Sequence, residues 1–290
     1  MYVLENELAR ATVQPLGAEL SSFLRKDLDN LEYIWPADPA VWARHAPVLF
    51  PIVGRLPQDQ YQHAGRTYSL PQHGFARDQP FVLVRHTPAE LVLELRDNEQ
   101  TRAAFPFAFR LRISYRLAGP MLTVGWEVEN SGAEELPFSI GAHPAFRCPL
   151  LPGETFEDYA FEFDEPVTLH RYLLQNGLLT GETELVLDQE TQLPLSYALF
   201  ENDALVLKDV HFNHLTLRSR RSGRAVRVRF DGFPYLGLWT KAPGAPFVCI
   251  EPWQGVASSV TDSGALIDKE GIRILGPGQE HATSYSITIE

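Results

Sequence analysis

The sequence predicts an all-β protein built as a large antiparallel β-sandwich, and three observations support this fold class. Apolar and polar residues alternate with a period of two in several segments, which is typical of half-buried strands. The connections between these segments are short and rich in turn-forming residues. No long amphipathic helix separates successive strands, and a parallel α/β sheet would require such helices.

The period-two pattern marks individual strands in chain order. It is clearest in ELVLELRD (90–97), RLRISYRL (110–117), MLTVGWEVEN (121–130), HLTLRS (214–219) and AVRVRF (225–230). The turn-rich stretches LAGP, NSGAEE and RRSGR follow these strands as short connections. Between the first two strands, DNEQTRAAFPF (97–107) is expected to form one or two helical turns that end at Pro106, because proline interrupts a helix.

The chain is expected to form a single domain that covers residues 1–290. Its hydrophobic content of 44% is sufficient for a substantial core. No low-complexity linker or shift in composition marks a boundary between domains. The proline-rich stretches WPADPAVWARHAPVLFP (35–51) and KAPGAPF (241–247) are therefore interpreted as loops inside this domain.

The charge balance argues against nucleic acid as a partner. The formal net charge is −12 and the pI is near 5.2, whereas affinity for nucleic acid comes mainly from Lys and Arg that neutralise phosphates. The one basic cluster, RSRRSGRAVRVR (218–229), alternates with apolar residues and is interpreted as the solvent face of a hairpin.

No segment has the pattern of a secretory signal or of a membrane span. Cys148 and Cys249 are the only cysteines, and two thiols make a poor disulfide framework for a chain of this size. We therefore expect a cytoplasmic protein that does not interact with membranes and that is a monomer or a homodimer.

Three segments place reactive side chains beside turn residues. HGFARD contains His73, SIGAHPAF contains His143, and FVCIEPWQG contains Glu251 and Trp253. A carboxylate at the end of an apolar strand is partly desolvated, which raises its pKa and makes it a better base. The indole of Trp253 offers a flat apolar face of the kind on which sugar rings stack.

Each of these candidates has a structural alternative. His73 could be an ordinary loop residue beside a turn glycine, His143 could cap a strand, and Glu251 could form a salt bridge with an arginine. Two histidines and a carboxylate are also compatible with zinc, but no two of them have the short spacing of a zinc motif. A serine hydrolase is disfavoured because G-x-S-x-G is absent, and no Gly-rich phosphate loop is present.

Taken together, the ordered motifs carry more information than any one of them. They are GAEL (17–20), EYIW (32–35), FPIVGRL (50–56), HGFARD (73–78), GAHPAF (141–146), FPYLGLW (233–239) and CIEPWQG (249–255). This set resembles the aldose 1-epimerase (galactose mutarotase-like) family, especially its shorter LacX-type branch. The resemblance extends over nearly the whole chain.

The resemblance implies the β-supersandwich fold of the galactose mutarotases. It also implies an activity that interconverts the α and β anomers of free aldoses and needs neither a metal nor an organic cofactor. By the same resemblance, His143 is the general acid and Glu251 the general base, and His73 binds the sugar near its ring oxygen. Arg55 and Asp203 would bind sugar hydroxyls.

The resemblance leaves the substrate open, because the chain is shorter than the galactose mutarotases and its loops around the site differ. A free hexose and a hexose phosphate are both compatible with it. A phosphate would require basic residues to converge at the rim of the site, and Arg55, Arg77 and Arg147 are available for this. Arg77 could instead hold its own loop through Asp78.

The function predicted from the sequence is thus an aldose 1-epimerase that acts on a small-molecule sugar. The alternative is a non-catalytic carbohydrate-binding or regulatory protein on the same scaffold, since a fold does not determine function. A glycosidase or lyase is less favoured because glycosidases usually need two carboxylates, and only Glu251 lies in a suggestive motif.

Overall fold

The computed structural model describes residues 1–290. It contains one short α-helix, α1 (Glu99–Ala104), and five single-turn 3-10 helices at Pro57–Asp59, Ala76–Asp78, Phe156–Asp158, Tyr197–Phe200 and Leu266–Asp268. The strands are β1 (Tyr2–Glu5), β2 (Ala9–Val13), β3 (Leu20–Arg25), β4 (Leu31–Glu32), β5 (Val48–Leu49), β6 (Gln60–His63), β7 (Arg66–Ser69), β8 (Val82–His86), β9 (Glu90–Arg96), β10 (Phe109–Ala118), β11 (Met121–Asn130), β12 (Leu136–Phe138), β13 (Ile140–Ala142), β14 (Ala145–Arg147), β15 (Tyr159–Gln175), β16 (Leu178–Pro194), β17 (Leu205–Lys208), β18 (His214–Ser219), β19 (Ala225–Arg229), β20 (Tyr235–Trp239), β21 (Phe247–Gln254), β22 (Arg273–Leu275) and β23 (Glu280–Ile289).

The predicted all-β class is confirmed, and the strands predicted from the period-two pattern are present as β9, β10, β11, β18 and β19. The helical turns expected before Pro106 are α1. Its N-terminus is fixed by a capping box in which the Asn98 side chain accepts from the backbone N–H of Thr101 and the Thr101 hydroxyl accepts from the backbone N–H of Asn98.

Most strands belong to one large sheet, and every strand pair in the protein is antiparallel. The order of the fifteen-stranded sheet is β5-β13-β21-β20-β17-β15-β18-β19-β23-β11-β10-β9-β8, with β14 added to β21 and β16 added to β15. A four-stranded sheet, β1 to β4, and two small hairpin-like pairs complete the architecture. None of the helices has the length and apolar character needed to cross a bilayer.

Strand β21 is the element that positions the candidate site. All eight of its residues are buried. β13 and β14 pair with one of its edges and β20 pairs with the other, and its apolar side chains belong to hydrophobic clusters of the interior. Apart from the main core of 66 residues, two smaller apolar clusters lie along this strand. One includes Val53, Val206 and Trp253, and the other includes Phe247 and Cys249.

Candidate active site

A cleft of about 390 Å³ opens beside β21. Its volume is in the range typical of pockets that bind small ligands. The residues that line it come from several loops and from β15, β17, β20 and β21. They are Trp42, Gly54, Gln72, His73, Arg77, His143, Leu174, Gly177, Asp203, Ala204, Val206, Trp239, Lys241, Glu251, Trp253 and Ala257.

Glu251 and Trp253 are placed by two glycines on the neighbouring strands. Gly237 of β20 is the cross-strand partner of Glu251, and a Cβ atom there would lie 2.4 Å from Cζ2 of the Trp253 indole. Gly141 of β13 is paired with Trp253 itself, and its Cβ would lie 2.7 Å from Cδ1 of the same ring. These motif glycines therefore make room for the indole, whose N–H donates to the carbonyl of Ala142 at 3.2 Å.

His143 faces Glu251 because the chain changes strand at this residue. It lies between β13 and β14, and both of these strands pair with β21. The distance from Nε2 of His143 to Oε2 of Glu251 is 3.3 Å. Both side chains are almost fully buried, at 10% and 2% exposure. An imidazole and a carboxylate are thus in contact at the wall of the cleft.

Two tryptophan rings contact the imidazole of His143. The Trp42 indole stacks on the imidazole with ring centroids 5.1 Å apart and an interplanar angle of 28°, and Trp239 approaches edge-on at 5.6 Å. Phe247 packs behind both tryptophans. The loop that carries Trp42 is attached to the segment that follows β20. There, the Nζ of Lys241 donates to the carbonyl of Val41 at 2.6 Å.

His73 approaches the cleft from a strained loop. Its φ angle is +67°, a left-handed conformation that is uncommon for residues other than glycine but is adopted more readily by histidine than by most. Backbone hydrogen bonds hold it there, since its N–H donates to Gly54 and its carbonyl accepts from Phe50. Its Nδ1 accepts from the N–H of Gly54 at 3.1 Å, so the neutral ring carries its proton on Nε2.

The role of Gly74 explains why a glycine follows this histidine. Its φ is +69° and a Cβ there would lie 2.3 Å from the backbone oxygen of Phe50. The close packing of two loops therefore requires a glycine after His73. The imidazole of His73 is in turn held perpendicular to that of His143, with ring centroids 5.6 Å apart.

Arg77 and Asp203 add charge to the loop side of the cleft. The Nη2 of Arg77 donates to the carbonyl of Gln72 at 2.6 Å, and its Nε lies 3.8 Å from Asp78. Asp78 is shared with Arg44, which contacts it at 2.8 Å. Asp203 is exposed and has a φ of +76°. Arg77 therefore both supports its own loop and lines the cleft.

The structure brings six of the seven predicted site residues to the cleft and leaves Arg55 outside its lining. Arg55 forms a two-bonded ion pair with Asp59, at 2.8 and 2.9 Å, and lines the adjoining depression that also includes Asp203.

Sequence reasoning did not assign Trp42, Trp239 or Lys241 to the site. Trp239 lies in the motif FPYLGLW (233–239), but nothing local to Trp42 indicates its contact with the distant His143.

Burial dominates the electrostatics of the acid–base pair. Desolvation raises the pKa of Glu251 well above its usual value, with a further contribution from the charge of Asp203. Desolvation also lowers the pKa of His143 to about 3, with a smaller contribution from Arg77. The pKa of His73 is lowered well below its usual value, chiefly by burial and then by His143. Buried sites favour neutral groups.

The fold is that of a galactose mutarotase-like protein, and comparison with known proteins agrees. The sequence profile of the family Aldose 1-epimerase matches residues 1–288. The chain therefore belongs to the aldose 1-epimerase family.

Individual relatives match over nearly the whole chain. Protein LacX, chromosomal, from Lactococcus lactis subsp. lactis is 37% identical over 295 residues, which cover 99% of this chain and 98% of that protein. A galactose mutarotase related enzyme from Lactobacillus acidophilus has a solved structure with a TM-score of 0.95 and 36% identity, covering 100% of this chain and 97% of that chain. A galactose mutarotase-like protein from Lactobacillus casei ATCC 334 has a TM-score of 0.94 and 30% identity, with complete coverage of both chains.

Proposed function

We propose that this protein is an aldose 1-epimerase that interconverts the α and β anomers of a free hexose or a hexose phosphate by acid–base ring opening and reclosure. The observation that carries the proposal is the contact between His143 Nε2 and Glu251 Oε2, 3.3 Å apart at the wall of a sugar-sized cleft. Anomerisation requires one acid and one base that lie close enough together to serve two oxygens bonded to the same carbon.

The chemistry explains the use of two neighbouring groups. The configuration at C1 can invert only if the ring opens to the free aldehyde. Opening removes a proton from the C1 hydroxyl and delivers one to the ring oxygen, and both oxygens are bonded to C1. Glu251 takes the first proton and His143 supplies the second. After rotation about the C1–C2 bond, the two groups exchange roles and the ring closes as the other anomer.

The burial of the pair is compatible with this cycle because the pair holds one proton throughout. Desolvation favours the neutral carboxyl and the neutral imidazole. Moving that proton from Glu251 to His143 gives the carboxylate and imidazolium that open the ring, without any exchange with solvent. Each positioned acid or base typically accelerates a reaction by roughly 10² to 10⁴.

The loop side supports recognition of the sugar. The neutral His73 directs a donor Nε2–H away from Gly54, which is suited to the ring oxygen or a hydroxyl. Asp203 offers a carboxylate as an acceptor for sugar hydroxyls. Trp42, Trp239 and Trp253 supply the apolar ring faces of the cleft, and sugar rings commonly stack on such faces.

The arrangement of cations favours an unphosphorylated hexose over a hexose phosphate. Of the three arginines considered for phosphate recognition, only Arg77 lines the cleft. Arg55 is occupied by Asp59, and Arg147 donates to the carbonyl of Ile34. Lys241 adds one positive charge to the cleft, but its Nζ is bonded to a backbone carbonyl.

The alternative, a non-catalytic carbohydrate-binding protein, does not require two buried proton-transfer groups in contact. Polarimetry separates the two functions. We would follow the optical rotation of freshly dissolved α-D-glucose, α-D-galactose and α-D-glucose 6-phosphate with the wild type and with Glu251→Gln. The epimerase accelerates relaxation to an unchanged equilibrium, and the variant does not. No acceleration with any of the three sugars would favour the binding protein.

A further inference from the structure

A cysteine lies beside the acid–base pair and has no part in the proposed reaction. One ligand atom from each of His143, Cys249 and Glu251 lies within 4.8 Å of the others, and all three residues are buried. Cys249 and Glu251 are two residues apart on β21, so their side chains emerge on the same face of the sheet. His143 comes from the β13–β14 connection. The three residues therefore do not have the short sequence spacing of a typical zinc motif.

The separation of the nitrogen and oxygen donors suits a tetrahedral zinc ion. Zinc binds imidazole nitrogen and carboxylate oxygen at about 2.0–2.1 Å, so two such ligands in a tetrahedron lie roughly 3.3 Å apart. The distance from His143 Nε2 to Glu251 Oε2 is 3.3 Å. Nitrogen, thiolate sulfur and carboxylate oxygen are also the donors that zinc uses in proteins, and three such ligands leave a fourth position open.

A second observation points to a ligand at this position. Oε2 of Glu251 is buried and has no hydrogen-bond partner beyond its contact with His143, and Glu251 as a residue is only 1% exposed. Buried carboxylates are ordinarily paired, hydrogen-bonded or bound to a metal. Charge neutrality is favourable as well, because a thiolate, a carboxylate and a neutral imidazole balance a divalent cation in a desolvated site.

We propose that His143, Cys249 and Glu251 bind a zinc-class divalent cation that enters through the cleft and inhibits the enzyme. Binding converts the Cys249 thiol to a thiolate and releases its proton to solvent, and a proton on Glu251 is released in the same way. The ion then holds both groups that must carry protons during ring opening. The inhibitory effect rests on the proposed epimerase function, whereas the binding of the ion does not.

The test combines a binding measurement with an activity measurement. Co²⁺ is titrated into wild type, Cys249→Ala and Cys148→Ala, in buffer without thiols or chelators, and the thiolate-to-Co²⁺ charge-transfer absorption is recorded. Cys148 provides a matched control because it is as buried as Cys249 but belongs to a different apolar cluster. Zn²⁺ inhibition of anomerisation is then measured by polarimetry on the same three proteins.

We expect the charge-transfer band and Zn²⁺ inhibition in the wild type and in Cys148→Ala. Cys249→Ala should lack the band and should retain epimerase activity. Its half-inhibiting Zn²⁺ concentration should rise by about tenfold or more, since loss of even an outer-shell partner weakens metal affinity by roughly 10–100-fold.

Either of two results would overturn the site. One is a wild-type protein that shows no thiolate band with Co²⁺, and the other is equal Zn²⁺ inhibition of wild type and Cys249→Ala. A protein that shows the band, but accelerates no sugar, would contradict the proposed function while leaving the metal site supported. The two proposals therefore fail in distinguishable ways.

Discussion

The two sides of the cleft are built in different ways. On the strand side, Glu251 lies on β21, a central strand whose edges are both paired, and His143 lies in the connection between two strands that pair with β21. Both side chains are almost entirely removed from solvent. On the loop side, His73 and Asp203 adopt left-handed backbone conformations, and Asp203 and Gln72 are exposed. The loop of His73 is fixed by backbone hydrogen bonds to the segment Phe50–Gly54 and not by pairing within a regular strand, although the His73 side chain is as buried as that of His143.

The difference suggests that the two sides of the cleft have separate roles, which we call the division of labour between proton transfer and sugar selection. A fully paired strand and the connection packed against it hold an acid and a base in a fixed relative position and in a low-dielectric environment, where their pKa values are strongly shifted. Loops vary more readily in length and sequence without disturbing the core. We infer that the strand side performs the proton transfers and that the loop side determines which sugar is accepted.

The largest expected effect comes from removing one member of the strand-side pair. Glu251→Gln removes the base and His143→Asn removes the acid, while each keeps a side chain of similar size. We expect kcat to fall by roughly 10² to 10⁴ in either variant, the range typical of one acid–base group. Polarimetric initial rates at saturating sugar measure this effect, and an unchanged thermal unfolding temperature serves as the control. A similar kcat loss in His73→Asn would contradict the division.

A smaller effect is expected from filling the space beside Trp253. Gly237→Ala places a methyl group 2.4 Å from the indole, so the ring and the adjacent Glu251 must move. Overpacking of this kind typically costs about 1–3 kcal/mol of unfolding free energy, and kcat should fall with it. Gly276→Ala is the matched control, because its nearest neighbour is the flexible Gln279 side chain at 3.3 Å. Equal losses of unfolding free energy for the two variants in urea would show that the space left by Gly237 beside Trp253 is unimportant.

The smallest effect tests the ring that stacks on the acid. An indole face stabilises a cation by about 0.5–2 kcal/mol, so Trp42 should favour the imidazolium form of His143. Trp42→Leu should therefore lower kcat several-fold, whereas Trp42→Phe, which keeps an aromatic face, should lower it less. Equal kcat values for the two variants in polarimetry would mean that Trp42 acts only as an apolar wall.

Much of the fold was predictable because many strands of the sandwich have one face in the core and one in solvent. The alternating strands β10 and β11 show this clearly. The long hairpin of β15 and β16 was not predicted. Its register shifts at four places, including between Glu162 and Val167, and each shift interrupts the two-residue period on which the prediction depends.

The place of the proposed acid–base residues in the cleft was predictable for a different reason. Glu251 and His143 each lie in a short motif that also contains glycine and proline. The reactive side chain and the residues that shape the local backbone are therefore visible together in the sequence. Trp42 could not be found in this way, because its contact with His143 depends on how a proline-rich loop folds back onto the sheet. The pairing of Arg55 with Asp59 was likewise invisible, although the two residues are only four positions apart.

The most direct test of the division of labour is to measure sugar binding separately from turnover. The hexose that the wild type accelerates best would be titrated by calorimetry into Glu251→Gln and into His73→Asn. We predict that Glu251→Gln binds it nearly as well as the wild type does. His73→Asn should bind it about tenfold more weakly, the effect of one lost hydrogen bond of roughly 1.4 kcal/mol. Loss of binding in Glu251→Gln, with wild-type affinity in His73→Asn, would contradict the account.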